Sequence, residues 1–199
     1  MIKIRKASEK DVTAIVGIHE QAFPDFFLTT LGSRFLGLYY KCMCRCDVAV
    51  TLCAIENGVI MGFSATALKS AGFNTRLVKD NIFVFIKEGI RLLFTKPLAL
   101  IRLMKNMTKG KSGIVDKGEY AELYSIGVSP TSQGRGVGSM LLTETERIIA
   151  SNSGREMSLT TDKFNNESAI AFYEKNGYRI MYEFTSYPQR EMIRYIKSL

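Results

Sequence analysis

A mixed α/β fold, built as one domain over 1–199, is the architecture this sequence predicts on three grounds. Seven short β-rich runs (2–5, 48–55, 59–68, 123–128, 157–161, 178–184 and 191–197) are separated by segments whose apolar residues recur at helical spacing. Strands and helices interleave along the chain instead of segregating into blocks, the pattern of a sheet flanked by helices. With 199 residues, 46% of them hydrophobic and 23% charged, the chain carries enough apolar surface for one well-packed core.

Residues 2–5 alternate apolar and basic as a first strand. Ser8 followed by Asp11 resembles a capping box opening a helix through about Ala22, with Val12, Ile15, Val16 and His19 as its inner stripe. For His19, the only histidine, that position suggests packing or a surface role ahead of a catalytic one. Pro24 stops the helix, and an aromatic-rich connection with Phe23, Phe26 and Phe27 leads to a second helix over 33–45. The runs 48–55 and 59–68 flank Glu56-Asn57-Gly58, a turn that tolerates positive φ, and so read as a hairpin. Two amphipathic helices are expected over 81–94 and 97–107, with Pro97 in the first turn of the second. A polar, glycine-containing loop follows over 110–118. Beyond the strand 123–128 come a helix ending near Ser153-Gly154, a strand at 157–161, and a helix that Asn165 caps and Asn176-Gly177 terminates. A hairpin around Pro188 closes the chain.

The stretch 123–150 reads as strand, glycine loop and helix. Gly134, Gly136 and Gly138 let backbone amides approach a ligand where the first turn of a helix leaves them unpaired and the dipole is positive, which makes an anion cradle. The dinucleotide pattern G-x-G-x-x-G fails, because Ser139 and Leu141 stand where its third glycine belongs. No Gly-Lys-Ser/Thr of a Walker loop follows either. Gln133-x-x-Gly136-x-Gly138 instead matches the loop Gln/Arg-x-x-Gly-x-Gly/Ala. Asn165-x-x-Ser168-Ala169-x-x-Phe172-Tyr173-x-x-Asn176-Gly177-Tyr178 is similar to N-x-x-[AS]-x-x-[FL]-Y-x-x-x-G-[FY]. On these two motifs, and on element order along nearly the whole chain, the sequence resembles the GNAT superfamily of acetyl-CoA-dependent N-acetyltransferases. The segment 69–118 is its principal departure.

The resemblance implies a central, largely antiparallel twisted sheet of about seven strands, with a helical insertion before the cofactor-binding strand. It implies acetyl-CoA as acyl donor and no metal. The amides of Gly134, Arg135, Gly136, Val137, Gly138 and Ser139 would hold the CoA pyrophosphate, with Gln133 and Arg135 lining the loop. Ile126, Gly127 and Val128 would offer free backbone to pantetheine, the Val128 amide stabilising the thioester oxyanion. Asn165 would also reach the cofactor, and the Tyr173 hydroxyl would protonate the departing thiolate. An amine must lose a proton before it attacks, and Glu122 is the first candidate base, with Glu119 and Asp162 as rivals. The glutamate that ribosomal-protein alanine acetyltransferases carry on the following strand is Thr160 here. Phe23, Phe26, Phe27 and Thr29 are the candidate acceptor contacts. The pattern F-x-x-FFLT-x-LG around them resembles acetyltransferases of bacterial surface-polysaccharide pathways.

The formal charge of +8 is unevenly placed: residues 69–118 hold eleven Lys or Arg against three acids, the whole of the excess. A basic wall beside aromatics suits a small anionic amine, such as an amino sugar on a nucleotide diphosphate or lipid carrier, acetylated by direct transfer in a ternary complex. Peptide or protein N-terminal acetylation and a non-catalytic acyl-CoA-binding regulatory module stay open as alternatives. Segment 82–107 mixes apolar runs with cations, as a helix pair lying on an anionic membrane does. A helical flap with a solvated basic face is the plainer reading of the same residues. A homodimer is a further expectation, and no nucleic-acid partner is expected, since no stacking motif is present. Cys42, Cys44, Cys46 and Cys53 lack a second ligand cluster and read as reduced thiols. No apolar signal core and no run of 18 apolar residues occur, so the expected location is the cytoplasm.

Overall fold

The computed structural model describes residues 1–108 and 116–199, apart from the side chains of Met104 and residues 106–108. Most of the loop expected over 110–118 lies outside these. Seven strands form one sheet: β1 (Lys3–Lys6), β2 (Ala49–Glu56), β3 (Val59–Ala67), β4 (Ala121–Val128), β5 (Glu156–Asp162), β6 (Arg179–Ser186) and β7 (Arg190–Ser198). Their order is β1-β2-β3-β4-β5-β7-β6, antiparallel except for the β4–β5 pair. Among the described residues, eight α-helices accompany it: α1 (Val12–Ala22), α2 (Phe27–Leu31), α3 (Ser33–Arg45), α4 (Phe73–Asp80), α5 (Ile82–Thr95), α6 (Pro97–Thr108), α7 (Val137–Ser151) and α8 (Glu167–Lys175).

Local chemistry accounts for most boundaries. Ser8 and Asp11 do form the capping box, and Arg5 grips Asp11 with two 2.8 Å bonds, so one 3₁₀ turn over Glu9–Asp11 precedes α1. The Asn57-Gly58 turn takes both residues to positive φ. The aromatic connection is partly helical, since α2 forms where a loop was expected. A further helix, α4, precedes the two expected in the insertion. It starts after Gly72 at φ +73° and buries Phe73 and Leu77, one turn apart, against the core.

Helices α1 and α3 cover one face of β2–β4, and α7 covers the other. A further cluster, with Leu123, Leu142, Met157, Leu159 and Tyr195, fills the space beneath α7 and α8. The halves β1–β4 and β5–β7 meet through three parallel residue pairs only, Ala121↔Met157, Glu122↔Ser158 and Leu123↔Leu159. A buried ionic cluster reinforces that junction. Arg194 on β7 reaches across β5, donating to Ser158 Oγ at 3.1 Å and to Glu122 on β4 at 2.9 Å, while Ser70 donates to the other Glu122 oxygen. Asp116 lies 3.5 Å from the same guanidinium and accepts from the Tyr120 and Tyr182 hydroxyls, whose rings flank the cation. The side chains of Arg194, Asp116 and Glu122 are almost wholly out of solvent.

A buried cation that loses the nearer of its two counter-charges is costly, whereas an exposed pair contributes little. Glu122→Gln is therefore expected to lower unfolding free energy by about 3 kcal/mol in urea titrations. Glu119→Gln, which breaks the exposed Lys69–Glu119 pair, should leave the midpoint close to that of the parent chain.

Candidate active site

The junction between the half-sheets opens into a cleft. The register of β3 on β4 shifts at Tyr124, where Ala65 pairs with Ser125 and Thr66 with Leu123, a bulge that sharpens the twist of β4. Beyond Leu123, β4 stays with β3 while β5 stays with β7, and the two diverge. Ser129 N donates to Met61 O, so by strand alternation Gly127 turns its amide to β3, and the amides of Ile126 and Val128 face the gap.

The far end of the cleft is the start of α7. Gly134 and Gly136 sit at φ +74° and +76°, with open space where a Cβ would stand. The left-handed Gly136 is the N-cap, and no side chain caps the helix, so the first-turn amides of Val137, Gly138 and Ser139 are left for a ligand. Together the gap and the loop enclose a cavity of ≈ 630 Å³, bounded also by Thr160, Asp162, Asn166, Phe172 and Tyr173, and at its other end by His19, Phe23 and Phe26. Open strand backbone leading to unpaired helix amides fits an extended thioester arm ending in a pyrophosphate.

A family model described as Acetyltransferase (GNAT) family matches residues 15–178. The chain belongs to that family. Solved structures share its fold at low identity. The ribosomal-protein-S18-alanine N-acetyltransferase of Escherichia coli superposes with a TM-score of 0.63 at 15% identity, covering 100% of this chain and 94% of that one. An N-acetyltransferase from Staphylococcus aureus Mu50 gives 0.62 at 15%, with 100% and 98% coverage. The yncA acetyltransferase of Salmonella typhimurium, determined with its cofactor acetyl-CoA, gives 0.61 at 15%, with 100% and 94%. No curated protein sequence matches.

In this GNAT chain, Ile126, Val128, Gln133, Gly134, Gly136, Val137, Gly138, Ser139 and Tyr173 converge on the cavity, as do Phe23 and Phe26. Other expected contacts do not. Gly127 presents its hydrogen to the core, where a Cβ would come within 2.9 Å of Phe63, so that glycine serves packing. Arg135 turns outward to Glu56 at 2.8 Å. Phe27 packs under the Arg102 guanidinium, and Thr29 donates to the Phe23 carbonyl oxygen at 2.6 Å. Asn165 is a left-handed turn residue, and its neighbour Asn166 is the N-cap of α8 that lines the cavity and donates to Thr161 Oγ1. Counted back from Phe172-Tyr173, Asn166 is also the asparagine at the spacing the motif requires.

The three carboxylates expected as bases are all engaged. Glu122 belongs to the Arg194 cluster and lies outside the cavity lining, Glu119 pairs with Lys69, and Asp162, though in the lining, is clasped by Arg190. His19 also borders the cavity. Its ring is fully buried, Nδ1 shares a 2.7 Å hydrogen bond with the Tyr40 hydroxyl, and Nε2 has no partner among the described residues. Ser125, within hydrogen-bond reach of Tyr40, extends that chain to β4. Burial pushes the His19 pKa from 6.5 down to about 4, so the ring is neutral at physiological pH. Burial drives the Tyr173 hydroxyl well above its usual range and keeps it protonated.

These shifts set a stability window. Between pH 6.5 and about 4 the unfolded chain protonates a histidine that the folded chain keeps neutral, so this contribution to stability is lost as pH falls across that range. Thermal melts of the parent chain should drop through it, and His19→Gln should remove that share of the slope.

Proposed function

We propose that this chain acetylates a primary amine by direct transfer from acetyl-CoA, with both reactants held in the one cavity. The observation that carries the reading is the continuity of that cavity, from unpaired amides at the start of α7, along open β4 backbone, past Tyr173, to an aromatic end beside His19. Acetyl-CoA supplies an activated acyl group, and the amides of Val137 to Ser139 would hold its pyrophosphate.

From the glycine loop toward the junction of the half-sheets, Val128 is met first and Ile126 second. The Ile126 amide therefore lies nearer the acyl end. We assign it the stabilisation of charge building on the carbonyl oxygen, and give the Val128 amide the grip on the arm. As the nitrogen–carbon bond forms and the carbon–sulfur bond breaks, the amine gives up a proton and the thiolate gains one. Tyr173 serves as donor to sulfur, since its hydroxyl is held protonated and has no hydrogen-bond partner among the described residues.

For the amine proton, the titratable groups lining the cavity leave one neutral base. Asp162 is paired with Arg190, Lys175 is a cation, and Tyr124 and Tyr173 are held protonated by burial. We assign the role to His19, with Nδ1–H donating to Tyr40; its Nε2 is closed to solvent in this structure, so the neighbouring Phe23 or Phe26 ring must shift to admit the amine or one water. Water exchange in the cavity then returns the two groups to their starting states.

The acceptor is read as a small amine whose body rests on Phe23 and Phe26. An anionic acceptor, the amino-sugar class above all, rests on the charge balance of the sequence, because Arg190, 4.9 Å from the centre of the Phe26 ring, is paired with Asp162 and lies outside the lining. The described residues of the basic insertion lie outside the cavity lining. Thiol release from acetyl-CoA over a panel of nucleotide-linked amino sugars, small amines and peptide N-termini tests the reading. Calorimetric binding without turnover on any member supports the regulatory-module alternative. Tyr173→Phe and His19→Gln are each expected to lower kcat about 100-fold with the KM for acetyl-CoA little changed. Unchanged turnover at saturation removes the residue concerned from the chemistry.

A further inference from the structure

The insertion presents an apolar surface that the acetyl-transfer reading does not use. Among the described residues, nine of the sixteen exposed large hydrophobic side chains lie between residues 82 and 101, a concentration far beyond the scatter of single apolar residues normal on a protein surface. Phe83, Phe94 and Leu98 are 84%, 81% and 82% exposed, and Ile86, Ile90 and Leu93 stand between them at helical spacing. These helices are not loosely attached. Helix α5 is anchored by Leu92 and Phe85 on its inner side, α6 by Leu100 and Leu103, and Phe85 meets Phe35 edge-on. One face of the helix pair is therefore packed and the other is bare.

The charge around the bare face has one sign. Residues 81–108 contain a single acid, Glu88, against Lys87, Arg91, Lys96, Arg102 and Lys105. Glu88 is buried on the inner side, neutralised by Arg91 and by Arg34 at 3.1 Å. Lys87, exposed and one turn from both Phe83 and Ile90, has no ion-pair partner among the described residues, and neither does the exposed Lys79 on the adjoining α4. A second copy of this chain is a poor occupant, because pairing two such faces would oppose their surplus positive charge. A peptide would need acidic residues interleaved with apolar ones. An anionic lipid surface offers both chemistries in layers, acyl chains beneath negative headgroups.

We propose that the outer face of α5 and α6 docks this enzyme on an anionic bilayer. Phe83, Ile90, Phe94 and Leu98 enter the boundary between headgroups and acyl chains, and Lys79 and Lys87 remain among the headgroups. The contact is peripheral, since no helix among the described residues is long and apolar enough to cross a membrane.

Co-sedimentation of the full chain with extruded vesicles tests this. Phosphatidylcholine vesicles containing about 30% phosphatidylglycerol should pull the chain down, and pure phosphatidylcholine should bind at least about tenfold less. Combining Phe83→Ser, Phe94→Ser and Leu98→Ser should weaken binding about tenfold or more with circular dichroism and thermal midpoint retained, because these side chains are exposed. Lys79→Glu with Lys87→Glu should weaken it and flatten its salt dependence. Absence of binding to the anionic vesicles overturns the proposal, as does binding that survives the triple substitution. A concentration-dependent dimer that the triple substitution abolishes, without vesicle binding by the parent chain, assigns the face to self-association instead. Acetyl transfer to soluble amines is read separately, so failure of one result leaves the other standing.

Discussion

The Arg194–Glu122 ion pair is the constraint on which the rest of the structure depends. Two half-sheets must be joined firmly enough to make one domain and yet must part a few residues later to admit a ligand. Backbone pairing contributes only three residue pairs to that join, and parallel pairing is the less stable kind per residue. A guanidinium reaching from β7 across β5 to β4, closed off by Ser70, Ser158 and Asp116, ties three strands at the point where they begin to diverge. Because the cluster is shut away from solvent, its partners cannot readily exchange for water, and the cleft opens from a fixed apex.

That arrangement gives Glu122 a role other than the base the sequence suggested. A carboxylate at the base of a splayed strand is well placed to take a proton, but here it is committed to holding the strand. In the proposed reading, the reacting end is built instead from groups with little net charge: strand amides, a protonated tyrosine and a neutral histidine. Such groups need no counter-ions inside the cavity, and they keep their protonation across the physiological range.

What was legible in the sequence was what local conformation decides. Gly134 and Gly136 announced a loop with open amides at a bare helix start, and the Asn57-Gly58 turn and the α3 boundaries were likewise readable. The seven strands followed from their β-rich runs. Contacts between distant residues were not legible. Nothing in the chain ties Arg194 to Glu122, 72 positions away, or Arg135 to Glu56. His19 sat on the predicted inner stripe, yet its unpartnered Nε2 depends on Tyr40 occupying the opposite edge of the ring. The α8 cap slipped by one residue, from Asn165 to Asn166, because two adjacent asparagines satisfy a composition rule equally; the motif spacing counted back from Phe172-Tyr173 and the left-handed φ of Asn165 both select Asn166.

The insertion leaves and rejoins the sheet at neighbouring points. Ser70 donates its amide to the Tyr120 carbonyl oxygen at 2.8 Å, and Ala71 does the same to Gly118 at 3.0 Å. A detour whose two ends are already tied side by side asks nothing of its own length. Helices can be added or lengthened outward beyond that neck, provided Phe73, Leu77 and Leu92 keep their places in the core, while β3 and β4 keep their register and the cleft keeps its apex. The chain is thus modular at one address: the part facing its surroundings is free to change, and the part that handles the acyl group is insulated from the change.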